Sequence, residues 1–463
     1  MQPEGERRDR LLRTEREPVI SVGIKSGVES LTLCLKSAYI TSLGDRFSDG
    51  LYRATSNGQT VALRSLEHGM HAQGAELTLM PVDRQHASVI VKDVRIGLGF
   101  HWERCEDQEF TGDVRLIPDS GDLLTLINTV PVEDYLASVI SSEMSASSHL
   151  ELLKAHSVVS RSWLLAQLKP WKATKDDGKE GAGPSQAGDL IRWYDREDHF
   201  AFDVCADDHC QRYQGITKAT TPSVRDAVRA TFGKVLTFDG QVCDARFSKA
   251  CGGMTEDFSS AWEDKVVPYL SARYDGQTWP PEYQLPLSDE ANAKLWIVHE
   301  PPSYCNAMGG EILGRILPGF DQETVEFYRW QCRLGQEELQ SLLSTKLGIE
   351  FGPISSIQPV ERGASGRIVR LRISGERQNL VIGKELEIRR ALSSSHLLSS
   401  AFDVHEGARA NGVPALFTLR GGGWGHGVGL CQIGAAVMAE RGLDHRAILR
   451  HYFSRAEIES IYW

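Results

Sequence analysis

Two cysteines and two histidines lie within a stretch of twelve residues in the middle of the chain. His199, Cys205, His209 and Cys210 follow the order H-x5-C-x3-H-C. Two thiolates and two imidazole nitrogens are a ligand set that Zn²⁺ takes in tetrahedral coordination. Four protein ligands leave no position for a reacting water, so the pattern predicts a structural zinc site. The alternative is that surface histidines and unrelated cysteines are merely close in sequence.

A single carboxylate stands at the end of a predicted helix. Glu143 closes PVEDYLASVISSEM, a segment that starts at Pro131. A carboxylate at a helix C-terminus opposes the helix dipole, which indicates a role other than stabilising the helix. Taken alone, such a glutamate is more often a solvated surface residue. Lys154 and Arg161 lie on one face of the next predicted helix, where they could orient a carboxylate or form a solvated basic stripe.

Six glycines surround His426 in GGGWGHGVG. Glycine at this density indicates close approach of the backbone to a ligand or to another strand. The segment lacks the Lys-Ser/Thr of a phosphate-binding P-loop, so we do not expect nucleotide binding. Cys251, in FSKACGGMTE, could act as a nucleophile with His426, but nothing indicates a reactive thiol and we predict a buried one.

The elements that must position these residues indicate an α+β fold. Short β-branched runs with turn residues between them fill the N-terminal part, and helical patterns follow. Helices are predicted over 131–144, 149–169 and 221–231, and Asp239-Gly240 predicts a hairpin turn. The predicted segments are a polar tail at 1–17, a β-rich domain at 18–109, a mixed stretch at 110–275, an insertion or subdomain at 276–400, and a C-terminal stretch at 401–463.

Composition excludes several classes of function. The 463 residues carry 51 basic and 62 acidic side chains, a net charge of −11, which argues against nucleic acid as a partner. We expect no transmembrane segment, because no run approaches the ~18 apolar residues that span a bilayer. The first residues are charged where a signal peptide would be apolar. Nine cysteines, an odd number, do not predict a full disulfide framework.

Five motifs, in this order, resemble the stage II sporulation protein D family, which includes the amidase enhancer domain. They are VPVEDYLASVISSEM, LLKAHSVVSRSW, HFAFDVCADDHCQRYQG, ARFSKACGGMTEDFSSAWED and GGGWGHGVGLCQIGA. They cover about half of the chain. The resemblance implies that 110–275 and 401–463 form the two parts of one core.

The resemblance also implies an activity. Characterised members of the family are lytic transglycosylases, which cut the MurNAc–GlcNAc bond of peptidoglycan in strands stripped of stem peptides. The sugar's own 6-hydroxyl is the nucleophile, and the product is a 1,6-anhydro sugar. One carboxyl group then suffices, whereas glycosidases usually need two. That carboxyl group must carry a proton when the reaction starts.

Residue by residue, the family's catalytic glutamate falls on Glu143, although Ser145 stands where the family has proline. The family's arginine falls on Arg161, and its glycine-histidine motif covers Gly425 to Gln432, with Leu430 and Cys431 as departures. Some members bind zinc through a cluster that matches the one described above. We expect Arg161 to contact sugar oxygens or to support a loop. The candidates for hydrogen-bonding the sugar are Ser248, His426 and Gln432.

Two other functions remain open at this point. The chain could bind glycan strands without cutting them and stimulate a cell-wall amidase. It could also be a zinc hydrolase, which would need a water on the metal. The substrate implies export to the cell envelope, although no signal segment is visible in the numbered chain.

Overall fold

A computed structural model describes residues 12–67, 69–97, 103–168, 188–194, 199–307, 310–317 and 326–463. These residues form the expected α+β fold, with a β-rich N-terminal region. They divide into two compact units, each assembled from distant segments. The N-terminal unit comprises the described parts of Leu12–Arg161, Arg196–Lys234 and Ser460–Trp463, and the C-terminal unit comprises those of Ser162–Asp195 and Val235–Glu459. The five-segment division remains a prediction, and most of the tail at 1–17 lies outside the described residues.

Alternating side chains build the sheets of the N-terminal unit. In the strand Ser30–Leu35, Leu31, Leu33 and Leu35 are buried while the residues between them are partly exposed. Such alternation buries one face of a strand against the core. The strands are β1 (Val19–Val28), β2 (Ser30–Leu35), β3 (Tyr39–Thr41), β4 (Arg46–Phe47), β5 (Gly50–Ser56), β6 (Val61–Ser65), β7 (His71–Gly74), β8 (Leu77–Pro81), β9 (Val89–Ile96), β10 (Arg104–Phe110), β11 (Asp113–Pro118), β12 (Leu124–Pro131) and, later in the chain, β14 (Val204–Cys205).

These strands form two sheets. One has seven strands in the order β14-β1-β12-β11-β8-β3-β4, and the other has six in the order β10-β9-β2-β5-β6-β7. Strand β12 pairs antiparallel with both β1 and β11. The chain leaves the seven-stranded sheet at the end of β12 and enters its first helix directly.

The helices of this unit lie where the sequence predicts them. They are α1 (Val132–Glu143), α2 (Leu150–Gln167), whose last turns count with the C-terminal unit, and α3 (Pro222–Ala230). Pro131 stands at the N-cap position directly before α1, without a side-chain capping bond, and its φ of −57° suits the start of a helix. Helix α1 is buried on nearly every side. No helix among the described residues is long and apolar enough to span a membrane.

The C-terminal unit mixes short sheets with helices. Its strands are β13 (Leu190–Ile191), β15 (Lys234–Phe238), β16 (Gln241–Val242), β17 (Phe247–Ser248), β18 (Arg329–Gly335), β19 (Ile354–Arg362), β20 (Ile368–Gly375), β21 (Asn379–Gly383), β22 (Phe402–Glu406), β23 (Arg409–Ala410), β24 (Val413–Pro414), β25 (Leu416–Gly422), β26 (Leu430–Cys431) and β27 (Glu457–Ser460). The predicted hairpin joins β15 to β16, with positive φ at Asp239 and Gly240.

The helices of the C-terminal unit are α4 (Phe258–Ala261), α5 (Glu290–Val298), α6 (Gly310–Ile316), α7 (Gln336–Leu347), α8 (Glu385–Ala391), α9 (Gln432–Glu440) and α10 (His445–Tyr452), with a 3₁₀ turn at Pro268–Leu270. The main apolar core of this unit packs α7 and α8 against β18 to β21 and β25. The parallel pair β17–β26 lies at the start of α9 and brings two sequence motifs together.

Candidate active site and metal centre

The Cys/His motif forms a compact cluster in the N-terminal unit. The four donor atoms of His199, Cys205, His209 and Cys210 lie within 4.8 Å of one another. The Sγ of Cys210 is 3.5 Å from His199 Nε2 and 3.6 Å from His209 Nδ1, and the Sγ of Cys205 is 3.8 Å from His209 Nδ1. Ligands of a tetrahedral zinc ion, at bond lengths of 2.0–2.3 Å, are roughly 3.3–3.8 Å apart. The three distances given above fall in that range, so the cluster is of the size that a tetrahedral ion needs.

Hydrogen bonding makes the two thiols of the cluster unequal in proton affinity. Hydrogen bonds from Cys205 and from both histidines hold the pKa of the Cys210 thiol well below its usual value. The pKa of Cys205 is raised, because its thiol is hydrogen-bonded to Cys210 and is itself partly buried. A bound metal ion would displace the thiol proton, since cysteine binds metals as the thiolate.

The loop that carries the cluster is seated on the seven-stranded sheet. Strand β14 pairs in parallel with β1, with Gly23 opposite Cys205. A Cβ added at Gly23 would lie 2.4 Å from the ring of Phe202, so only glycine permits this approach. The backbone N–H of Ala206 then donates to the Gly23 carbonyl at 3.0 Å.

Glu143, the last residue of α1, lies against the same loop. Its side chain is largely buried, and its Oε1 accepts a hydrogen bond of 3.1 Å from the backbone N–H of Arg212, two residues after Cys210. The carboxyl group is therefore held by the protein and does not extend into bulk water. The sequence indicated the glutamate but gave no sign of this partner, because the bond joins backbone and side chain across 69 positions.

Residues that follow the cluster form hydrogen bonds with α1 and its neighbours. The N–H of Gln214 donates to Ser138 Oγ at 2.9 Å, and the hydroxyl of Tyr213 donates to Asn128 Oδ1 at 2.6 Å. The hydroxyl of Tyr135 donates to the side chain of Gln211 at 3.3 Å. The metal loop and the helix that ends in Glu143 are thus one connected assembly.

Arg161 is completely buried, and Glu133 takes up its charge. The guanidinium forms a forked pair with the carboxylate, at 2.9 Å from Nε to Oε1 and 2.5 Å from Nη2 to Oε2, and Nη1 donates to the Lys234 carbonyl at 2.9 Å. Both expected roles of Arg161, contact with sugar oxygens and support of a loop, remain predictions. The sequence did not indicate Glu133 as the partner, because 28 positions separate the two residues.

Lys154 is not part of the buried ion pair that Arg161 forms with Glu133. Its Nζ lies 2.6 Å from Oε1 of Glu151, one helical turn earlier on α2. The two basic residues of α2 therefore do not act as one stripe.

The C-terminal unit brings Ser248 and Gln432 close in the fold. Ser248 pairs with Cys431 across β17 and β26, and Gln432 follows as the first residue of α9. Both side chains are buried. The hydroxyl of Ser248 has no hydrogen-bond partner among the described residues. Whether either residue contacts sugar remains a prediction.

His426 lies on the glycine-rich turn beside Trp262, with ring centroids 4.9 Å apart. Its Nδ1 accepts the N–H of Val428 at 3.0 Å. Desolvation of this partly buried ring, helped by nearby arginines such as Arg246, lowers the pKa of His426 to about 3. The imidazole is therefore neutral near pH 7 and has no charge to offer a substrate.

Cys251 is buried, as the sequence predicts. Burial raises the pKa of its thiol well above the usual value, which disfavours the thiolate that a nucleophile needs. A pocket of about 560 Å³ elsewhere in this unit is lined by Asp257, Asp264 and Arg362 among others. None of the predicted site residues lines it.

Comparison with known proteins agrees with the motifs. A family model described as stage II sporulation protein, SpoIID, matches residues 120–238. The chain therefore carries a SpoIID domain. This domain contains Glu143, Arg161 and the whole Cys/His cluster. A second model, described as a domain of unknown function, matches residues 256–429 and contains His426.

Two of three relatives of this SpoIID-domain protein carry names that match the motifs. Stage II sporulation protein D of Bacillus subtilis is 23% identical over 334 residues, which cover 72% of this chain and 75% of that protein. An uncharacterized protein of Brachyspira hyodysenteriae is 26% identical over 350 residues, covering 76% of this chain and 72% of that protein. Amidase enhancer of Bacillus subtilis is 24% identical over 329 residues, covering 70% of this chain but 40% of that protein.

Proposed function

We propose that this protein acts on the bacterial cell wall as a lytic transglycosylase. It would cleave the MurNAc–GlcNAc bond of peptide-stripped glycan strands and leave a 1,6-anhydro-MurNAc end. The SpoIID domain and the names of the relatives support the cell-wall role. The observation that carries the activity is the position of Glu143, largely buried and fixed by a backbone N–H beside the metal loop.

In this proposal Glu143 performs both proton transfers. Its protonated carboxyl gives a proton to the leaving glycosidic oxygen, and the resulting carboxylate then removes the proton from the 6-hydroxyl of the same sugar. The hydroxyl oxygen bonds to the anomeric carbon as the leaving group departs, so no water is consumed.

The Cys/His cluster would hold a structural zinc ion. Four protein donors close the coordination shell, so a bound ion would supply folding energy to the loop and no reacting water. This loop carries the Arg212 N–H that binds Glu143, and the metal would thereby fix the position of the acid. The same reasoning disfavours the zinc hydrolase, which needs an open position on the metal.

The decisive experiment compares Glu143→Gln with the unaltered protein on purified glycan strands freed of stem peptides. We expect the variant to release no anhydro-muropeptides, as measured by mass spectrometry, and to melt at an unchanged temperature. Glu151→Gln, which alters a partly buried carboxylate on α2, should retain activity. Anhydro products from Glu143→Gln would refute the assignment.

A non-catalytic role is the second candidate, because one relative is named amidase enhancer. It predicts that the unaltered protein binds the strands and leaves them intact, while a cell-wall amidase works faster in its presence. Both outcomes are read from the same incubation. Either role requires export to the cell envelope, which fractionation of cells would test.

A further inference from the structure

A second cluster of metal-type donors lies in the C-terminal unit, and its residues fall outside the range that the SpoIID model matches. Cys251, Asp275, Cys305 and Cys431 place their donor atoms within 4.8 Å of one another. All four side chains are buried. They come from four separate segments, with up to 180 positions between them, so the group does not form a local sequence motif that could be recognised.

Cys431 is arranged as an acceptor of hydrogen bonds. It caps the N-terminus of α9, where its Sγ accepts the N–H of Gly434 at 3.4 Å and the N–H of Cys251 at 3.2 Å. Backbone donors and the positive end of a helix both favour the thiolate over the thiol. The Sγ atoms of Cys251 and Cys305 lie 3.6 Å apart, close to the ~3.8 Å that separates two sulfur ligands of a tetrahedral zinc ion.

Asp275 supplies the fourth donor. Among the described residues, no cationic side chain lies close enough to balance the charge of this buried carboxylate. It is fully buried, and no lysine or arginine of the described residues lies within 4.0 Å of its carboxylate. The nearest basic group is His451, whose Nε2 is 4.0 Å away and has no hydrogen-bond partner in the described part of the chain. A buried carboxylate without a counter-charge is costly, and a metal cation at this point would remove that cost.

The carboxylate is also oriented as a ligand would be. The hydroxyl of Tyr452 donates to its Oδ1 at 2.6 Å, and the N–H of Cys305 donates to its Oδ2 at 2.9 Å. A Cβ at Gly434 would lie 2.6 Å from Oδ1, so only glycine at this position leaves room for the carboxylate. Such hydrogen bonds to a ligating group typically fix its direction.

We propose that Cys251, Cys305, Cys431 and Asp275 form a second, structural zinc site. Three thiolates and one carboxylate match the ligand preferences of Zn²⁺ and fill a tetrahedral shell without water. Binding would release the protons that the thiols carry in the metal-free protein. The ion would join β17, β26 and α9 to the segments around residues 275 and 305. This site is independent of the proposed activity and of the Cys/His cluster.

The test measures zinc per chain by mass spectrometry of purified full-length protein. Cys210→Ser disables the first cluster, and this variant should retain about one zinc ion. Adding Cys305→Ser should remove that ion, whereas adding Cys243→Ser, which changes a buried cysteine outside the cluster, should not. Zinc-free Cys210→Ser protein, or equal zinc content after Cys305→Ser, would overturn the proposal.

X-ray absorption at the zinc edge of the unaltered protein gives an answer that does not depend on how the variants fold. Two sulfur ligands at the first site and three at the second give a mean of about 2.5 per zinc ion, at about two ions per chain. A mean of 2 at one ion per chain would overturn the second site. A disulfide between Cys251 and Cys305, found by counting free thiols, would also overturn it.

Discussion

At the scale of single residues, Arg161 and Glu133 show that a buried charge is compensated by an opposite charge and by hydrogen bonds. The guanidinium is fully buried, and its forked pair with Glu133 is supplemented by bonds to the carboxylate from the Gly233 N–H and the Tyr462 hydroxyl. A buried ion pair contributes little net stability, because desolvation offsets the attraction of the charges. Loss of one partner is a different matter, since the other charge is then left uncompensated.

We therefore expect Arg161→Met to lower the free energy of unfolding by about 3–5 kcal/mol. The double variant Arg161→Met/Glu133→Leu should lose less than the single variant, because no charge is left alone. Urea unfolding followed by circular dichroism measures both. Additive losses in the double variant would contradict this account of the pair.

His426 makes stability depend on pH. Its pKa is about 3 in the folded protein, against an ordinary value of 6.5, so the unfolded chain binds the proton more readily. The stabilising contribution is complete above about pH 6.5 and is lost as the pH falls toward 3. Between pH 7 and pH 5 this group alone should cost the fold at most about 2 kcal/mol.

The prediction is that His426→Gln loses less stability than the unaltered protein over this pH interval. Urea unfolding at pH 7 and pH 5 gives the two differences. Replacement of the exposed His71 by glutamine provides the control with which the His426 variant is compared. An equal loss in the His426 variant would show that the histidine is not held neutral.

At the scale of elements, the metal loop and helix α1 depend on each other. Gln211, Arg212, Tyr213 and Gln214 all bond to α1 or its neighbours, and the four metal donors lie within the twelve residues before them. Because binding of the ion and folding of such a loop are coupled, loss of the ion should free these residues from the helix.

Cys205→Ser should therefore speed amide hydrogen exchange at Arg212 and Gln214 and reduce glycan cleavage at least tenfold, although Glu143 is unchanged. Exchange measured by mass spectrometry reports the loop, and the anhydro-product assay reports the activity. Exchange in strands β5 and β6 should stay slow. If the variant keeps full activity although its loop is metal-free and exchanges rapidly, the metal is not needed to position Glu143.

The sequence predicted the features that depend on neighbouring residues and missed the contacts that join distant segments. Pro131 marked the start of α1, and Asp239-Gly240 marked the β15–β16 turn, because each signal resides in adjacent residues. The Cys/His cluster was found for the same reason, since its donors share one loop. The Glu133–Arg161 pair and the Cys251 cluster join distant segments, and their members look ordinary until the fold brings them together.

At the scale of the whole molecule, the last four residues return to the N-terminal unit. The N–H of Ile461 donates to the Gly233 carbonyl at 3.0 Å, and Thr14 donates its N–H to the Ile461 carbonyl at 2.8 Å. Ile461 and Tyr462 are fully buried. At Gly233, where φ is +65°, a Cβ would lie 2.2 Å from the Tyr462 carbonyl oxygen, so the chain end fits only against glycine.

Deletion of residues 460–463 should consequently destabilise the N-terminal unit first. Two buried side chains are worth roughly 3–6 kcal/mol together, and the Tyr462 hydroxyl that binds Glu133 is lost as well. Limited proteolysis with mass mapping should find early cuts within residues 12–161 or 199–234. Trp463→Ala, which alters an exposed side chain, should leave the cleavage pattern unchanged. If the deletion gives the same cleavage pattern as that control, residues 460–463 do not stabilise the unit. The buried pair of Glu133 and Arg161 would then be stable without the Tyr462 hydroxyl.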